Sequence, residues 1–359
     1  MKRKHIIFIY PVFSTFVQKD YESLVKEADV LKYHFKPEKQ LHKFIFEFIK
    51  LKWFLIKNIR KTDVLFSWFA DYHSFLPALF GKMFHKKTFI VVGGTDAVSI
   101  PEIEYGIFYQ KGFRSLLVSW SYRWADLILP VHKSLIESTN TYVDRKGIKI
   151  GVKHFVKNLN TEFVELPTGY DSRKWYAKNE GAKESMVVTV AGIHNMRTYK
   201  GKGIDLFIDV ARKMPSVSFV VIGVSPEMHQ FINKDKPDNV EVKEYVENHL
   251  LIDEIAKAKV YCQFSLTEGL PNALCEAMLC ECVPVGSNVN GIPDGIGDAG
   301  FILNERNVEK AEALVQQALD SDDDLGKKAR EQIINHYSHS KREQSLFQLV
   351  LNKKNDKEL

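Results

Sequence analysis

The chain has 359 residues, long enough for two domains and longer than one hydrophobic core usually reaches. Hydrophobic residues make up 45% and charged residues 26%, with 20 glycines and 12 prolines, which excludes a disordered, collagen-like or low-complexity chain. The net charge of +5 comes with no nucleic-acid-binding motif, so no nucleic acid is expected as a partner.

The N-terminus, MKRKHIIFIYPVF, has a basic start and a short apolar run. That run ends in Tyr10-Pro11 and lacks a small-residue cleavage site, so it reads as a first buried strand, not a signal peptide. No stretch of about 18 apolar residues occurs, so no membrane span is expected. Further strand candidates follow at 63–69, 88–94, 126–131 and 162–167, several of them continuous apolar runs of the kind covered on both faces. Helical patterns lie between them at 38–59 and 114–125. Within 42–61, HKFIFEFIKLKWFLIKNIRK, the residues Phe44, Phe48, Leu51, Leu55 and Ile59 recur at 3–4 spacing, with lysines among them. Two readings fit: a core-facing helix with a basic solvent face, or a helix lying on anionic lipid.

A polar, turn-rich segment, PTGYDSRKWYAKNEGAKES (167–185), separates the halves. Beyond it, strands are predicted at 186–192, 218–223, 240–246, 260–266 and 282–287, and helices near 203–214, 249–258, 272–281 and 307–320. The last segment, 325–355, is helical and highly charged. Alternating strands and helices in both halves imply two parallel-sheet α/β domains. Ligands of such sheets sit beyond the carboxyl ends of the strands. The four cysteines, Cys262, Cys275, Cys280 and Cys282, have no histidine nearby and match no common zinc spacing, so they read as buried reduced thiols.

Candidate chemistry lies just after strands. GIHNMRTYKGKG follows the strand at 186–192, with Arg197, Lys200 and Lys202 leading into a helix start. Cations are disfavoured there by roughly 0.3–1 kcal/mol unless an anion shares the place; the plainer reading is a solvated basic loop. After 260–266 comes TEGLPNALCEAM, with Glu268 in a turn, Asn272 as N-cap, and Glu276 in the helix that follows. A helix N-terminus of this kind is an anion site, although an acid near it also simply complements the dipole. Asn290-Gly291-Ile292-Pro293-Asp294 and Gly93-Gly94-Thr95-Asp96 each read as a turn after a strand, or as a plain connection.

Together these stretches resemble the family 4 retaining glycosyltransferases of the GT-B fold, over most of the chain. Glu268 and Glu276 resemble that family's E-x7-E pair, and CVPVGSNVNGIPD its PVV-x-S-x-x-GGIPE run. Leu166 to Asp171 resembles the interdomain VIPNGVD stretch, Gly192 through Lys202-Gly203 the phosphate loop, WADLILPVHKSLIES the RADxVIAVSxxLxE segment, and YSHSKREQSLFQLV the terminal helix. The resemblance implies two Rossmann-like parallel-sheet domains facing across a cleft: 1–168 on the acceptor side, with a helix at about 336–359 docking back, and 169–335 binding a nucleotide sugar. It implies Glu268, Lys202, Arg197 and Asp96 as catalytic residues. Gly192, Gly269, Leu270, Pro271, Asn272 and Ala273 would hold sugar and diphosphate, Glu276 the ribose, and Tyr245 and Val246 the base. No metal or other cofactor is implied beyond the nucleotide diphosphate sugar donor.

The implied function is transfer of a sugar to a glycan or lipid-linked acceptor in cell-surface polysaccharide or glycolipid synthesis. The implied place is the cytoplasm, peripheral at the inner face of the membrane through the helix at 42–61. Three departures from the family pattern stand out. Ile193 replaces the arginine of the phosphate loop, Gly93-Gly94-Thr95-Asp96 replaces His-Gly-x-Asp, and Pro11 to Thr15 replaces a Gly-Gly loop. Two rival readings stand beside this one: a nucleotide-sugar epimerase or hydrolase of the same fold, and, suggested by these departures, a non-catalytic sugar-nucleotide-binding subunit.

Overall fold

The computed structural model describes residues 3–38, 40–177 and 183–352. Residues 178–182 of the polar break and 353–359 of the expected terminal helix lie outside them. The chain forms two compact units, one of residues 1–138, 149–169 and 339–359, the other of 139–148 and 170–338.

The first unit runs β1 (His5–Tyr10), α1 (Thr15–Glu27), β2 (Asp29–His34), α2 (Leu41–Asn58), β3 (Val64–Trp68), α3 (Tyr72–Phe84), β4 (Lys87–Val92), α4 (Phe113–Trp124) and β5 (Leu127–Pro130). Next in the chain come β6 (Ser138–Asn140) and β7 (Ile148–Ile150), a small two-stranded sheet around residues 139–148 of the second unit, and the first unit resumes with α5 (Val152–Phe155) and β8 (Glu162–Phe163). The main sheet is parallel, in the order β2-β1-β3-β4-β5-β8. Its inner strands are the continuous apolar runs, buried on both faces as parallel strands must be. Three elements escape the sequence pattern. The edge strand β2 leaves Asp29, Leu31, Lys32 and His34 exposed, so it lacks an apolar run. In α1 polar residues outnumber apolar ones, and α3 carries Pro77 in its interior, which reads as a breaker.

Helix α2 buries Leu51 and Leu55 against Ile7, Ile9, Phe35, Leu65 and Phe80. Its outer face is basic, as the spacing predicts, but it is also apolar: Ile45, Phe46, Ile49, Trp53 and Ile56 are all exposed. The helix has one acid, Glu47, which is buried and pairs with Lys50 at 2.7 Å. No helix among the described residues is long and apolar enough to cross a membrane.

After β4, Asp96 is 1% exposed. Its Oδ2 accepts from the Ala70 amide at 3.0 Å, and its Oδ1 from the amides of Gly93 and Gly94 at 3.1 and 2.9 Å. Burial pushes this carboxyl up to about 6 against the pull of those donors. Asp96 therefore joins the carboxyl ends of β3 and β4, and a sugar hydroxyl would have to compete with three backbone donors for it.

The second unit runs β9 (Glu184–Ile193), α6 (Met196–Gly201), α7 (Ile204–Lys213), β10 (Ser218–Val224), α8 (Pro226–Asn233), β11 (Val240–Lys243), α9 (Asn248–Lys257) and β12 (Ala258–Gln263). It continues with α10 (Asn272–Leu279), β13 (Val283–Ser287), α11 (Ile292–Ile296), β14 (Phe301–Leu303), α12 (Val308–Asp320) and α13 (Asp323–Tyr337). The sheet is again parallel, ordered β11-β10-β9-β12-β13-β14. The predicted strand 240–246 stops at Lys243. The charged segment 325–355 is not one helix: extended backbone at Ser338 ends α13, and α14 (His339–Leu351) begins anew and belongs to the first unit.

One buried ion pair fastens α14. Arg342 and Asp20 side chains are 3% and 1% exposed, and both guanidinium–carboxylate bonds are 2.6 Å. Arg342 also donates to the carbonyls of Leu166 and Pro167 at 2.6 and 2.7 Å and stacks over Trp68, whose indole N–H donates to Asp20 at 2.9 Å. Removing one partner strands a buried charge, so Arg342→Ala should destabilise the first unit by about 3–5 kcal/mol. A shift of its urea-unfolding midpoint checks this; an unchanged midpoint would contradict it.

Candidate donor site at the carboxyl ends of β9 and β12

In the second unit β9 and β12 are neighbours, and the turns after them meet. Past Gly192, Asn195 opens α6 with a capping box: its side chain accepts from the Thr198 amide at 3.0 Å, and the Thr198 hydroxyl accepts from the Asn195 amide at 3.1 Å. Lys202 ends α6, where a cation is favoured by the helix dipole. Gly203 then starts α7 with φ of +69°, and a Cβ there would stand 2.1 Å from the Phe264 carbonyl oxygen. Only glycine permits that approach. A further bond from the Leu266 amide to the Gly201 carbonyl, at 2.9 Å, ties the two turns together.

The result is a direct pair: Lys202 Nζ lies 2.5 Å from Glu268 Oε1, with side chains 35% and 14% exposed. From Glu268 the chain turns into α10. Pro271, in extended backbone, occupies the capping position, and no side chain caps the helix. Asn272, expected as the N-cap, is instead the first helical residue, and its side-chain oxygen accepts from the Tyr170 hydroxyl at 3.0 Å. The first-turn amides of Asn272, Ala273 and Leu274 have no partner inside the helix by construction. The turn after β13 closes the other side. The Gly291 amide donates to the Gly269 carbonyl at 2.9 Å, and Leu270 packs under Gly295.

Of the residues singled out by sequence, the structure thus brings Lys202, Glu268, Gly269, Leu270, Pro271, Asn272 and Ala273 into one place. Glu276 lies one turn further along α10, half-buried. Its charge and that of Glu268 both reach the buried Tyr261 hydroxyl, which burial above all holds well over its usual range. Arg197 is exposed in the first turn of α6. Tyr245 is 79% exposed and Val246 half-buried in the loop after β11, two strands from β9 on the same edge of the sheet. Asp96 belongs to the first unit and is committed to its own loop.

Sequence reading missed three supports. Asn140 is buried and donates to the Leu266 carbonyl at 2.8 Å, just ahead of Glu268. Tyr170 holds Asn272. Gln263 and Ser265 lie buried beneath Glu268, and polar side chains at alternate positions of an otherwise apolar strand were their available signal. The four cysteines are all buried, and none is joined in a disulfide.

Comparisons with known proteins bear on the whole chain. Residues 177–338 match the family model of glycosyl transferases group 1. No curated protein is similar enough in sequence to count as a match. A sucrose-phosphate synthase from Thermosynechococcus elongatus superposes with a TM-score of 0.70 at 13% identity, covering 98% of this chain and 99% of that one. HepE from Anabaena, solved in complex with UDP and glucose, gives 0.71 at 12% identity over 98% and 100%. A glycosyltransferase from Rickettsia africae gives 0.68 at 13% identity over 99% and 100%. At such identities the likeness shows the fold, which is GT-B.

Gly203 carries the clearest local prediction. Gly203→Ala should cost at least about 1–2 kcal/mol from its left-handed backbone alone, before any clash with Phe264. Thermal unfolding of the variant checks this, and an unchanged midpoint would contradict the close approach. Residues 177–338 thus match the model of glycosyl transferases group 1, and the chain takes the GT-B fold.

Proposed function

We propose that the protein is a retaining hexosyltransferase of family 4 type, taking a sugar from a nucleotide diphosphate donor held at the Lys202–Glu268 site. The observation that carries this reading is the direct pairing of the two turns after β9 and β12, with the uncapped start of α10 beside them. Cleaving a sugar–phosphate bond builds negative charge on the leaving phosphate and positive charge at the anomeric carbon. In this reading Lys202 and Arg197 neutralise the departing diphosphate, with the amides at the start of α10 as fixed donors. Glu268 faces the sugar, Glu276 takes the ribose hydroxyls, and Tyr245 with Val246 borders the base. Gly192 leaves room for the donor at the end of β9. Asp96 shapes the loop after β4 in the first unit and acts on the acceptor only through that loop.

The donor comes with no metal requirement in this reading, because lysine and helix amides supply the positive field. HepE, which shares the fold, was solved in complex with UDP-glucose, and this makes a UDP-sugar the first donor to try. An epimerase or hydrolase would use the same donor groups without an acceptor, so an acceptor assay separates those readings. Lys202→Ala and Glu268→Ala should each lower transfer roughly 10²–10³-fold. Wild-type rates in both would remove the site.

We also propose a lipid-linked or glycan acceptor of cell-surface synthesis, met at the inner face of the membrane. The outer face of α2 supports this: exposed Ile45, Phe46, Ile49 and Trp53 alternate with Lys43, Lys50 and Lys52, and no acid is exposed on the helix. Apolar side chains at headgroup depth with lysines reaching anionic phosphates bind a bilayer surface. Replacing Lys50, Lys52 and Lys57 by glutamate should abolish flotation with vesicles containing phosphatidylglycerol, at about 1 kcal/mol per lysine removed. Undiminished flotation would end this part of the reading.

A further inference from the structure

The strand β12 and its extension to Leu266 carry two unlike faces. Alternate side chains point to opposite sides of a sheet. Val260, Cys262, Phe264 and Leu266 form a buried apolar set, whereas Tyr261, Gln263 and Ser265 form a polar set that is equally buried, at 0%, 3% and 0% exposure. Buried polar groups weaken a core unless each is paired, and an apolar trio of the same shape would do as well or better for stability. Here each one is paired, and all in one direction.

The Tyr261 hydroxyl donates to Gln263 Oε1 at 3.0 Å, with the Val190 carbonyl a more distant alternative at 3.4 Å. Gln263 Nε2 donates to the Ser265 hydroxyl at 2.7 Å, and that hydroxyl donates to Glu268 Oε1 at 2.9 Å. The direction follows from the last acceptor. An ionised carboxylate only accepts, so Ser265 must give it its proton, and Gln263 must then turn its amide nitrogen, not its oxygen, toward Ser265. The oxygen left over faces the phenol. Below the chain, the Ser287 hydroxyl donates to the Ser265 carbonyl at 2.7 Å and holds the backbone in register.

At the far end, both contacts of Glu268 fall on the same oxygen. Oε1 accepts from Lys202 Nζ at 2.5 Å and from Ser265 at 2.9 Å, and Oε2 has no hydrogen bond among the described residues. A carboxylate gripped by one oxygen from a rigid strand and from a lysine can rotate little, so the second oxygen keeps a set direction. We propose that Tyr261, Gln263 and Ser265 are positioning residues, a buried one-way hydrogen-bond chain that fixes Glu268 so that Oε2 is presented to a hydroxyl of the donor sugar. The sugar's place rests on the donor-site reading above; the grip on Glu268 does not. Ser265 is the closest link and Tyr261 the most remote, so the effect of substitution should fall from Ser265 to Gln263 to Tyr261.

Two measurements on the full-length protein separate the two claims. The first follows the side-chain carboxyl carbon of Glu268 by NMR at constant pH, its signal assigned with Glu268→Gln. Removing a donor changes the hydrogen bonding of the carboxylate and frees it to reorient, so Ser265→Ala and Gln263→Leu should displace and broaden that signal. Ser265→Thr, which restores the hydroxyl, should return it toward wild type. A signal unmoved by Ser265→Ala in a folded protein overturns the proposal, as does one that Ser265→Thr fails to rescue. The second measures turnover with UDP-glucose. Ser265→Ala should lower kcat about tenfold or more, the loss of one bond to a charged group, with KM for the donor near wild type. A loss confined to KM would overturn the orienting role. If the wild-type protein turns over no nucleotide sugar, the transfer reading fails, and the carboxyl signal still decides the grip on Glu268.

Discussion

The close approach of Gly203 to the Phe264 carbonyl is the constraint on which the candidate site depends. No residue with a side chain can occupy that position without displacing the end of β12, because a Cβ would stand 2.1 Å from a backbone oxygen. With the two turns pressed together, the residue before the glycine and the residue four beyond the phenylalanine become neighbours, and Lys202 meets Glu268. The pairing also recasts a sequence argument. A lysine just ahead of a helix start looks misplaced if only α7 is considered, and an anion has to be supposed to hold it. Lys202 is in fact the C-cap of the short helix α6, where a cation is at home, and its carboxylate partner is part of the chain. A donor diphosphate would then share the lysine with Glu268, which suits a group that must neutralise charge only as it develops.

The first unit shows the same economy with buried charge. Asp96 and Asp20 are both acids inside a core, and each is kept by a complete set of donors. Asp96 uses backbone amides and sets the shape of the loop between Gly93 and Asp96, in which the expected histidine is missing. Asp20 uses Arg342 and Trp68 and fastens the last described helix. Neither acid has a free oxygen to offer a substrate. In the second unit Glu268 differs from both, because its Oε2 has no hydrogen bond among the described residues.

Much of this architecture was legible in the sequence, for physical reasons that differ by element. Strands β1, β3, β4, β9, β10 and β13 are largely apolar runs because both their faces are covered, and such runs stand out. Glu268, Gly269 and the helix from Asn272 were legible because turn chemistry and a helix start are local. What stayed hidden is of two kinds. Edge strand β2 and helix α3 contradict simple patterns, the first by exposing four of its six residues and the second by holding Pro77. The supports of the site are contacts between distant parts of the chain: Asn140 reaches Leu266 across 126 positions, and Tyr170 reaches Asn272 across 102. No local window contains both partners. The outward apolar residues of α2 were hidden differently, because inner and outer faces of that helix are both hydrophobic and the 3–4 spacing picks out only the inner one.

If the turns after β9 and β12 hold one ligand together, both should respond to it at once. Hydrogen exchange of the backbone amides, followed by mass spectrometry with UDP-, GDP- and ADP-sugars in turn, reads both turns in a single experiment. A donor that binds should protect residues 196–203 and 267–276 at once, and the same sugar nucleotide should protect neither in the Lys202→Ala, Glu268→Ala double variant. Protection of one segment without the other, or undiminished protection in the double variant, would contradict the account.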